Sequence, residues 1–387
     1  MTDRPRILVV VGTRPEGIKL APVVRALEAH AAAVEVRVAL TGQHTDLIDQ
    51  VIEVLGLPVH WDLGIMREGQ DLYDVAQGCL AGLRPVLGSY RPDLVLVQGD
   101  TATVLFAALA AFFERVPVGH VEAGLRSGDK WQPYPEEVFR RLAGGLADLH
   151  FAPTADARAN LLREGVPSQR VFLTGNTVVD ALLGIAAQER PVKDAALREA
   201  LSGEQRLVLV TAHRRESFGA PLREAFQAIR ALADRHPDVT FLYPVHPNPN
   251  VRGPAQEILA GHPRIRLTAP LDYADLVQAL RHATLVLTDS GGIQEEAPSF
   301  GTPVLVMREV TERPEGVRAG VARLVGTRRE RIESAADELL TDEAARRAMA
   351  TARNPYGDGQ AARRIADIVV HHLTGRPRET TDWEGGA

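Results

Sequence analysis

The chain has 387 residues, of which 45% are hydrophobic and 24% charged, and its formal net charge at pH 7 is −6. This composition excludes disordered, collagen-like and coiled-coil classes, and the acidic balance argues against a partner that is a nucleic acid. No apolar run reaches the roughly 18 residues that a membrane span requires. The single cysteine, Cys79, excludes an intrachain disulfide and a cysteine-built zinc site. Since no leader-like apolar segment opens the chain, we expect a cytoplasmic protein without a membrane partner.

Short apolar runs rich in β-branched residues alternate with longer helical patterns. In the first half, the predicted strands are 6–11, 34–40, 94–98, 116–121, 149–152 and 171–173. The predicted helices between them are 18–29, 102–113 and 136–146. The second half repeats the alternation, with strands at 207–211, 240–245, 265–267, 285–288, 303–306 and 322–325. Nearly continuous apolar strands separated by helices indicate parallel sheets covered on both faces. The prediction is an α/β fold of two Rossmann-like, doubly wound domains.

The boundary between the two series is predicted after residue 174. The N-terminal domain then spans 1–174 and is completed by a C-terminal helix at 360–374, while the second domain spans 175–359. The last residues, 375–387, are rich in Gly, Pro, Arg, Glu and Thr, and we predict that they are disordered.

Charged residues of the first half follow predicted strand ends, which is where open α/β sheets bind ligands. Each has an ordinary alternative: solvated loop charges, an aspartate that caps a helix, or a surface ion pair between residues four apart. Three carboxylates at neighbouring strand or helix ends nevertheless favour acid–base chemistry. The candidate residues are Arg14, Lys19, Asp100, Glu122, Glu136 and Arg140.

The second half carries its sharpest signal in the segment TDSGGIQEE at 288–296. Ser290 suits a helix N-cap, and Gly291 and Gly292 let a ligand approach the N–H groups of a helix start, as in phosphate and diphosphate sites. A glycine-rich turn without a ligand is the alternative. Glu296, one turn on, is placed to accept hydrogen bonds from ribose hydroxyls. His213 leaves another strand end beside two arginines.

Motifs for other cofactors are absent from the sequence. There is no Walker loop, no G-x-G-x-x-G after the first strand, no H-E-x-x-H helix and no His/Cys cluster. We therefore expect neither a dinucleotide cofactor nor a required metal.

Together these segments resemble the non-hydrolysing UDP-N-acetylglucosamine 2-epimerases. Their number and order make the resemblance specific, and they span most of the chain. The matching motifs are GTRPEGIK (12–19), TGQH (41–44), GDT (99–101), VEAGLRSGD (121–129), PEE..R (135–140), HRRESFG (213–219), HPNP (246–249), TDSGGIQEEAPSFG (288–301) and TERPE (311–315).

The resemblance implies a homodimer of subunits whose two Rossmann-like domains face a central cleft, the glycosyltransferase-B arrangement. It also implies reversible conversion of UDP-GlcNAc to UDP-ManNAc. UDP is eliminated from C1 with loss of the C2 proton, giving a 2-acetamidoglucal intermediate, and then adds back while a proton arrives on the opposite face of C2. This chemistry needs a firm diphosphate clamp and at least two groups that exchange protons.

The resemblance also assigns roles to particular residues. The diphosphate would contact Arg14, His213, Ser290, Gly291 and Gly292, and the ribose would contact Glu296. The reacting sugar would be surrounded by Lys19, Asp100, Glu122, Glu136 and Arg140, with Arg313 completing the site. The acid–base candidates are Asp100, Glu122 and Glu136, and which of them acts on which epimer stays open. The catalytic set as a whole is Asp100, Glu122, Glu136, His213 and Lys19.

The sequence departs from the family pattern at three positions. Phe139 stands where the family often has asparagine. Asp46 and Gly69 stand where the family's second, activating UDP-GlcNAc site usually has polar or basic groups. We therefore predict that this activator site is degenerate; its remaining residues are Gln43, His44 and Gln70.

Three other activities remain open at this point. A hydrolysing 2-epimerase would release ManNAc and UDP, and a UDP-sugar transferase on the same fold would need an acceptor groove. A non-catalytic nucleotide-sugar-binding protein would have no need of Asp100, Glu122 and Glu136 together. The pathway that uses the product is not indicated.

Overall fold

The structure, a computed structural model, describes residues 4–42, 52–65, 67, 69–188 and 190–385. These residues form two compact units: the first contains the described residues up to Ala181 together with Tyr356–Gly385, and the second contains Leu182–Pro355. Gln43, His44 and Asp46 lie outside the described residues. Within the described ranges, no helix is long and apolar enough to cross a membrane.

The first unit is built on a parallel sheet of seven strands in the order β3-β2-β1-β4-β5-β6-β7. The strands are β1 (Arg6–Val11), β2 (Glu35–Leu40), β3 (Trp61–Asp62), β4 (Leu94–Gln98), β5 (Val118–Val121), β6 (Leu149–Ala152) and β7 (Val171–Leu173). The six predicted strands are confirmed. Strand β3 was not predicted, because two residues are too few to show a period.

The α-helices whose bounds are described in this part of the chain connect or follow these strands. They are α1 (Arg14–Glu28), α2 (Leu72–Tyr90), α3 (Ala102–Phe113), α4 (Glu136–Leu146), α5 (Ala155–Arg163) and α6 (Thr177–Ala186), with a 3₁₀ turn at Ser168–Arg170. Helix α1 begins four residues before the predicted start at 18, since Pro15 fits the first helical turn, where its missing N–H is not needed.

The second unit repeats the same order with six parallel strands, β10-β9-β8-β11-β12-β13. The strands are β8 (Arg206–Thr211), β9 (Val239–Pro244), β10 (Ile265–Thr268), β11 (Ala283–Thr288), β12 (Val304–Val306) and β13 (Ala322–Leu324). Its helices are α7 (Ala195–Ser202), α8 (Ala220–Arg235), α9 (Pro249–Leu259), α10 (Tyr273–His282), α11 (Gly291–Glu296), α12 (Pro314–Arg318), α13 (Arg329–Thr341) and α14 (Glu343–Ala350), with 3₁₀ turns at Arg215–Ser217 and Ala297–Phe300.

The central strands are buried because their residues are apolar on both faces. Residues 7–11 of β1 and 207–210 of β8 are all buried, as expected for parallel strands covered by helices on each side. The strand order reverses between β1 and β4 in one unit and between β8 and β11 in the other. The prediction of two doubly wound α/β domains is confirmed.

The end of the chain returns to the first unit. Helix α15 (Ala361–Thr374) begins where the backbone N–H groups of Ala361 and Ala362 donate to the Asp180 carboxylate, at 3.2 and 2.9 Å. The Asn176 N–H also donates to the Tyr356 carbonyl at 2.7 Å. These bonds attach the start of α6 to the first unit, so this unit extends past residue 174.

The prediction that the tail after residue 374 is disordered is wrong for residues 375–385. The Trp383 N–H donates to the Leu173 carbonyl at 2.7 Å, and the Trp383 side chain is 5% exposed. The carboxylate of Asp367 accepts from the N–H groups of Glu379 and Thr380. Composition missed this order because one buried indole and a few backbone hydrogen bonds anchor an otherwise polar segment beside β7.

Replacing Trp383 by alanine should destabilise the first unit by about 3 kcal/mol, the usual order for deletion of a buried aromatic side chain. Thermal and chemical denaturation of Trp383→Ala would measure the loss. Trp131→Ala is the matched control, because Trp131 is 62% exposed and its removal should leave stability nearly unchanged. Equal stability of the two variants would contradict the packed tail.

Candidate functional site

The predicted residues of the first unit lie on the segments that follow β1, β4 and β5, and two ion pairs join four of them. Lys19, in the second turn of α1, forms an ion pair with Glu122, which follows β5, and the two side chains are only 13% and 8% exposed. The amide Nε2 of Gln98 donates to Glu122 Oε2 at 3.0 Å. Gln98 was missed from sequence because it ends a buried strand and is not charged.

The backbone of Glu122 lies in the left-handed region, with a φ of 64°. A residue with a Cβ adopts this conformation rarely, and in irregular backbone it typically costs about 1–3 kcal/mol. Strained residues of this kind concentrate at functional sites. The strain supports Glu122 as a site residue, independently of its charge.

Asp100 is held by a different cation from the one at Glu122. Arg140 of helix α4 forms an ion pair with Asp100, and its Nη1 lies 3.6 Å from Glu137 Oε2. The alternative ion pair between Glu136 and Arg140 is not formed. Among the described residues, Glu136 has no hydrogen-bond or ion-pair partner and is half-buried at the first turn of α4.

Glu137, the neighbour of Glu136, is fully buried and was missed as a functional candidate. Its carboxylate accepts from the backbone N–H groups of Ser127 and Gly128, at 2.9 and 3.3 Å, and from Arg141 Nε at 3.1 Å. It therefore fixes the loop after β5 against helix α4. The PEE motif contained this residue, but nothing in the sequence distinguished which of its two carboxylates binds the loop after β5.

The departure at Phe139 is explained by the core. Its ring meets the ring of Phe106 edge-on at 6.1 Å and packs against a cluster that includes Ile65 and Val75. Phe139 therefore fills apolar space between α2, α3 and α4.

Arg14 opens helix α1 immediately after the loop that follows β1. A Cβ at Gly12 in this loop would lie 2.1 Å from Thr103 Oγ1, so glycine is required for the loop to approach helix α3. Arg14 is half-buried and has no hydrogen-bond or ion-pair partner in the part of the chain that the structure describes. Its guanidinium is consequently available to a ligand.

In the second unit, Asp289 organises the loop that carries His213. The buried Asp289 carboxylate accepts from the backbone N–H groups of His213 and Arg214, at 2.7 and 2.8 Å. The His213 ring stacks on His246, with ring centroids 5.5 Å apart. Burial lowers the pKa of His213, and the Asp289 charge opposes that shift, so the imidazole is neutral at pH 7.

Helix α11 begins at the predicted glycine pair. Ser290 occupies the N-cap position, as predicted, but its hydroxyl makes no capping hydrogen bond. A Cβ at Gly291 would lie 3.0 Å from Glu312 Oε1 and 3.3 Å from Arg214 Nη2, which leaves little room for a side chain. Glu296, in the last turn of α11, is on the side of Gly292, since its Oε1 lies 4.0 Å from the position of a Gly292 Cβ.

Arg313 is also held in place by a neighbouring carboxylate. It forms an ion pair with Glu295, which is almost fully buried, and its backbone N–H donates to Thr311 Oγ1 at 3.0 Å. Glu295 was missed because it is adjacent to the predicted Glu296 in the same helix.

Two residues of the predicted activator site are described. Gly69 has a φ of 76°, with open space where a side chain would stand. The Gln70 amide is engaged in its own loop, accepting from the Arg67 N–H and donating to the Ile65 carbonyl, each at 2.7 Å. The amide of Gln70 is therefore used in hydrogen bonds within its own loop.

The protein therefore belongs to the two-domain, Rossmann-like class, with two doubly wound α/β units. One unit holds carboxylates in ion pairs, and in the other a helix begins at two glycines beside the loop of His213. The family model described as UDP-N-acetylglucosamine 2-epimerase matches residues 25–370. The chain belongs to this family.

Known relatives match over almost the full length. The UDP-N-acetylglucosamine 2-epimerase of Yersinia pestis is 50% identical over 372 residues, covering 95% of this chain and 99% of the relative. The S. aureus MnaA–UDP co-structure is similar with a TM-score of 0.89 and 44% identity, covering 98% of this chain and all of that one. The Neisseria meningitidis UDP-GlcNAc 2-epimerase bound to UDP-GlcNAc has a TM-score of 0.85 and 40% identity, with 94% and 99% covered.

Proposed function

We propose that this chain is a non-hydrolysing UDP-GlcNAc 2-epimerase that interconverts UDP-GlcNAc and UDP-ManNAc. The observation that carries the proposal is the set of carboxylates at the carboxyl edge of the first sheet. Asp100 and Glu122 are each fixed by a cation, and Glu136 lies nearby in chain order without a partner among the described residues. Family membership supports the same reaction.

The chemistry explains why several carboxylates are needed. The C2 hydrogen of the sugar is not next to a carbonyl, so direct deprotonation is prohibitively slow. A carboxylate instead takes the C2 proton while the C1–O bond breaks and UDP leaves with the bonding electrons, giving 2-acetamidoglucal. UDP then re-forms the C1–O bond while a second group delivers a proton to the other face of C2. We assign these proton transfers to Asp100, Glu122 and Glu136. Arg140 holds Asp100 in place, and Lys19 holds Glu122.

UDP must stay bound between the two halves of the reaction. We assign the diphosphate to Arg14, His213 and the start of helix α11, where N–H groups and the helix dipole favour an anion. The residues at that helix start are Ser290, Gly291 and Gly292. Glu296 then accepts from the ribose, and Arg313 completes the substrate contacts. In domain terms, the first unit, which includes the C-terminal helix, supplies the acid–base groups, and the second unit binds UDP.

The reaction predicts isotope exchange. In heavy water, turnover of UDP-GlcNAc should place deuterium at C2 and yield a mixture of UDP-GlcNAc and UDP-ManNAc, because the proton that returns comes from a group in exchange with solvent. Proton NMR measures both outcomes. Free ManNAc with UDP as the main products would instead identify a hydrolysing epimerase, and an unlabelled UDP-sugar would exclude the elimination mechanism.

The two sets of residues predict two kinds of variant. Arg14→Ala and His213→Ala should each weaken UDP binding as well as turnover, since a hydrogen bond to a charged phosphate contributes roughly 1.5–3 kcal/mol. Asp100→Asn should abolish most turnover and leave UDP affinity within a few-fold. Calorimetric titration with UDP separates these classes, with Arg223→Ala as control because Arg223 pairs with Glu257 at the surface. Equal losses of affinity in all three site variants would contradict the assignment.

We further propose that the enzyme is a cytoplasmic homodimer. Phe112 and Phe113, at the end of α3, are 59% and 62% exposed, and Leu142 on the adjacent helix α4 is 51% exposed. Apolar side chains grouped in this way are typical of a subunit interface. Sedimentation velocity should show a dimer for the natural chain and a monomer for Phe113→Glu. A natural chain that sediments as a monomer would contradict this interface.

We also propose that a second UDP-GlcNAc molecule does not switch this enzyme on. Glycine at position 69 offers no side chain to a phosphate, and the family resemblance would place the charge of Asp46 where it repels one, so a coupling of about 1–3 kcal/mol is readily lost. Starting from UDP-ManNAc alone, conversion should be linear from the first minute, with hyperbolic saturation. A long lag that trace UDP-GlcNAc abolishes would show that Arg67 or another group has replaced the missing contact.

A further inference from the structure

The buried carboxylate of Glu16 joins two loops of the first unit. Glu16, in the first turn of α1, is 1% exposed. Its Oε2 accepts from the Gly12 N–H at 2.7 Å, and its Oε1 accepts from the hydroxyls of Thr13 and Thr101, at 2.9 and 2.7 Å. One side chain therefore ties the loop after β1 to the loop after β4.

The two threonines serve Glu16 rather than their own helices. Thr13 and Thr101 stand at the N-cap positions of α1 and α3, where a threonine oxygen normally accepts from a helix N–H. Neither makes a capping hydrogen bond with its side chain. Both hydroxyls instead donate to the same carboxylate oxygen.

Helix stability explains only part of this arrangement. Glu16 stands in the first turn of α1, three residues after the N-cap Thr13, where a carboxylate favours the helix start, but the bond from the Thr101 hydroxyl does nothing for that helix. Burial raises the pKa of Glu16 to about 7, which means that its charge is held at a cost in free energy. Two capped helices and a neutral side chain at position 16 would avoid that cost. The carboxylate is better explained by what it holds.

Glu16 holds the loop that carries Asp100. Thr101 directly follows Asp100, and on the other side the Gly99 carbonyl lies 2.7 Å from His120 Nε2, which donates to it. Burial lowers the pKa of His120 to about 4, so this ring is neutral and keeps one N–H for the carbonyl. Asp100 thus stands between two anchored residues, while Arg140 binds its carboxylate.

We propose that Glu16 is a positioning residue of the epimerase site, which acts through the Thr101 hydroxyl to fix the backbone of the loop that carries Asp100. This inference rests on the proposed function. Glu16 itself is buried behind the loop and touches no substrate in this role. Its effect should be larger on the turnover number than on the binding of UDP, for which Asp100 is not required. Thr101→Val isolates the Asp100 loop, because Glu16 also binds the loop that precedes Arg14.

Glu16→Gln tests the role with little change in volume. The glutamine oxygen can still accept from the Gly12 N–H, but its NH₂ then faces both threonine hydroxyls. These hydroxyls must rotate and accept from it, so short charge-assisted bonds to a carboxylate are replaced by longer, weaker ones that displace the Thr101 side chain. Misplacement of a catalytic group by about 1 Å costs on the order of a hundredfold in rate, so kcat should fall at least about tenfold. The Kd for UDP should stay within about threefold.

Asp367→Asn is the matched control. Its buried carboxylate also accepts three hydrogen bonds, from the Glu379 N–H, the Thr380 N–H and the Thr380 hydroxyl, but these hold the C-terminal tail. It should lose stability and keep its kcat. Thr101→Val removes only the linking hydroxyl and should lower kcat in the same direction, and the double variant with Glu16→Gln should be no slower than the slower single variant.

The outcomes separate the inference from the proposed function. If the natural chain does not convert UDP-GlcNAc, the proposed function fails and the inference falls with it. If the natural chain is active and Glu16→Gln keeps its kcat within about twofold, the inference alone is overturned. A similar loss of kcat in Asp367→Asn overturns it as well, because the effect then belongs to any buried carboxylate. Should Glu16→Gln fail to fold, Thr101→Val with unchanged kcat overturns it.

Discussion

The reversal of strand order at β1 and β8 is the constraint on which the site depends. Where the strand order reverses in a parallel sheet, the two neighbouring central strands are followed by helices on opposite faces of the sheet. A gap therefore opens between the two loops at the carboxyl ends of these strands. In the first unit this gap receives the loops after β1 and β4, which carry Arg14 and Asp100. In the second unit it receives the loops after β8 and β11, which carry His213 and Ser290. Neither group of residues therefore requires a helix or strand beyond those of the doubly wound fold.

Charged side chains at such a gap have to be held in a fixed direction. In the first unit, each carboxylate is held by an ion pair with a residue of another element. Lys19 of α1 holds Glu122 beyond β5, and Arg140 of α4 holds Asp100 beyond β4. In the second unit, Asp289 accepts from two backbone N–H groups and so orders the loop of His213. The carboxylates of Glu122, Asp100 and Asp289 are thus compensated, which limits their desolvation penalty and fixes their direction.

Much of the fold could be predicted from the sequence, because each parallel strand is a short apolar run that begins and ends at recognisable polar, glycine or proline residues. The candidate residues were also recognisable, since a charged residue that follows a predicted strand can be identified from the sequence alone. Their partners were not. Lys19 and Glu122 are 103 residues apart, and Arg140 was placed beside Glu136 by spacing but binds Asp100. The tail was misjudged for the same reason: its polar composition is local, whereas the contact of Trp383 with Leu173 is not.

The left-handed backbone of Glu122 has a consequence for the evolution and engineering of this chain. Glycine or asparagine at that position would adopt the same φ with less strain, but either residue would remove the carboxylate that compensates the largely buried Lys19 ammonium. Selection for thermal tolerance alone would therefore act on position 122 in two opposite directions, through the strain of the backbone and through the ion pair. Heat resistance is accordingly a poor guide to which residue belongs at this position.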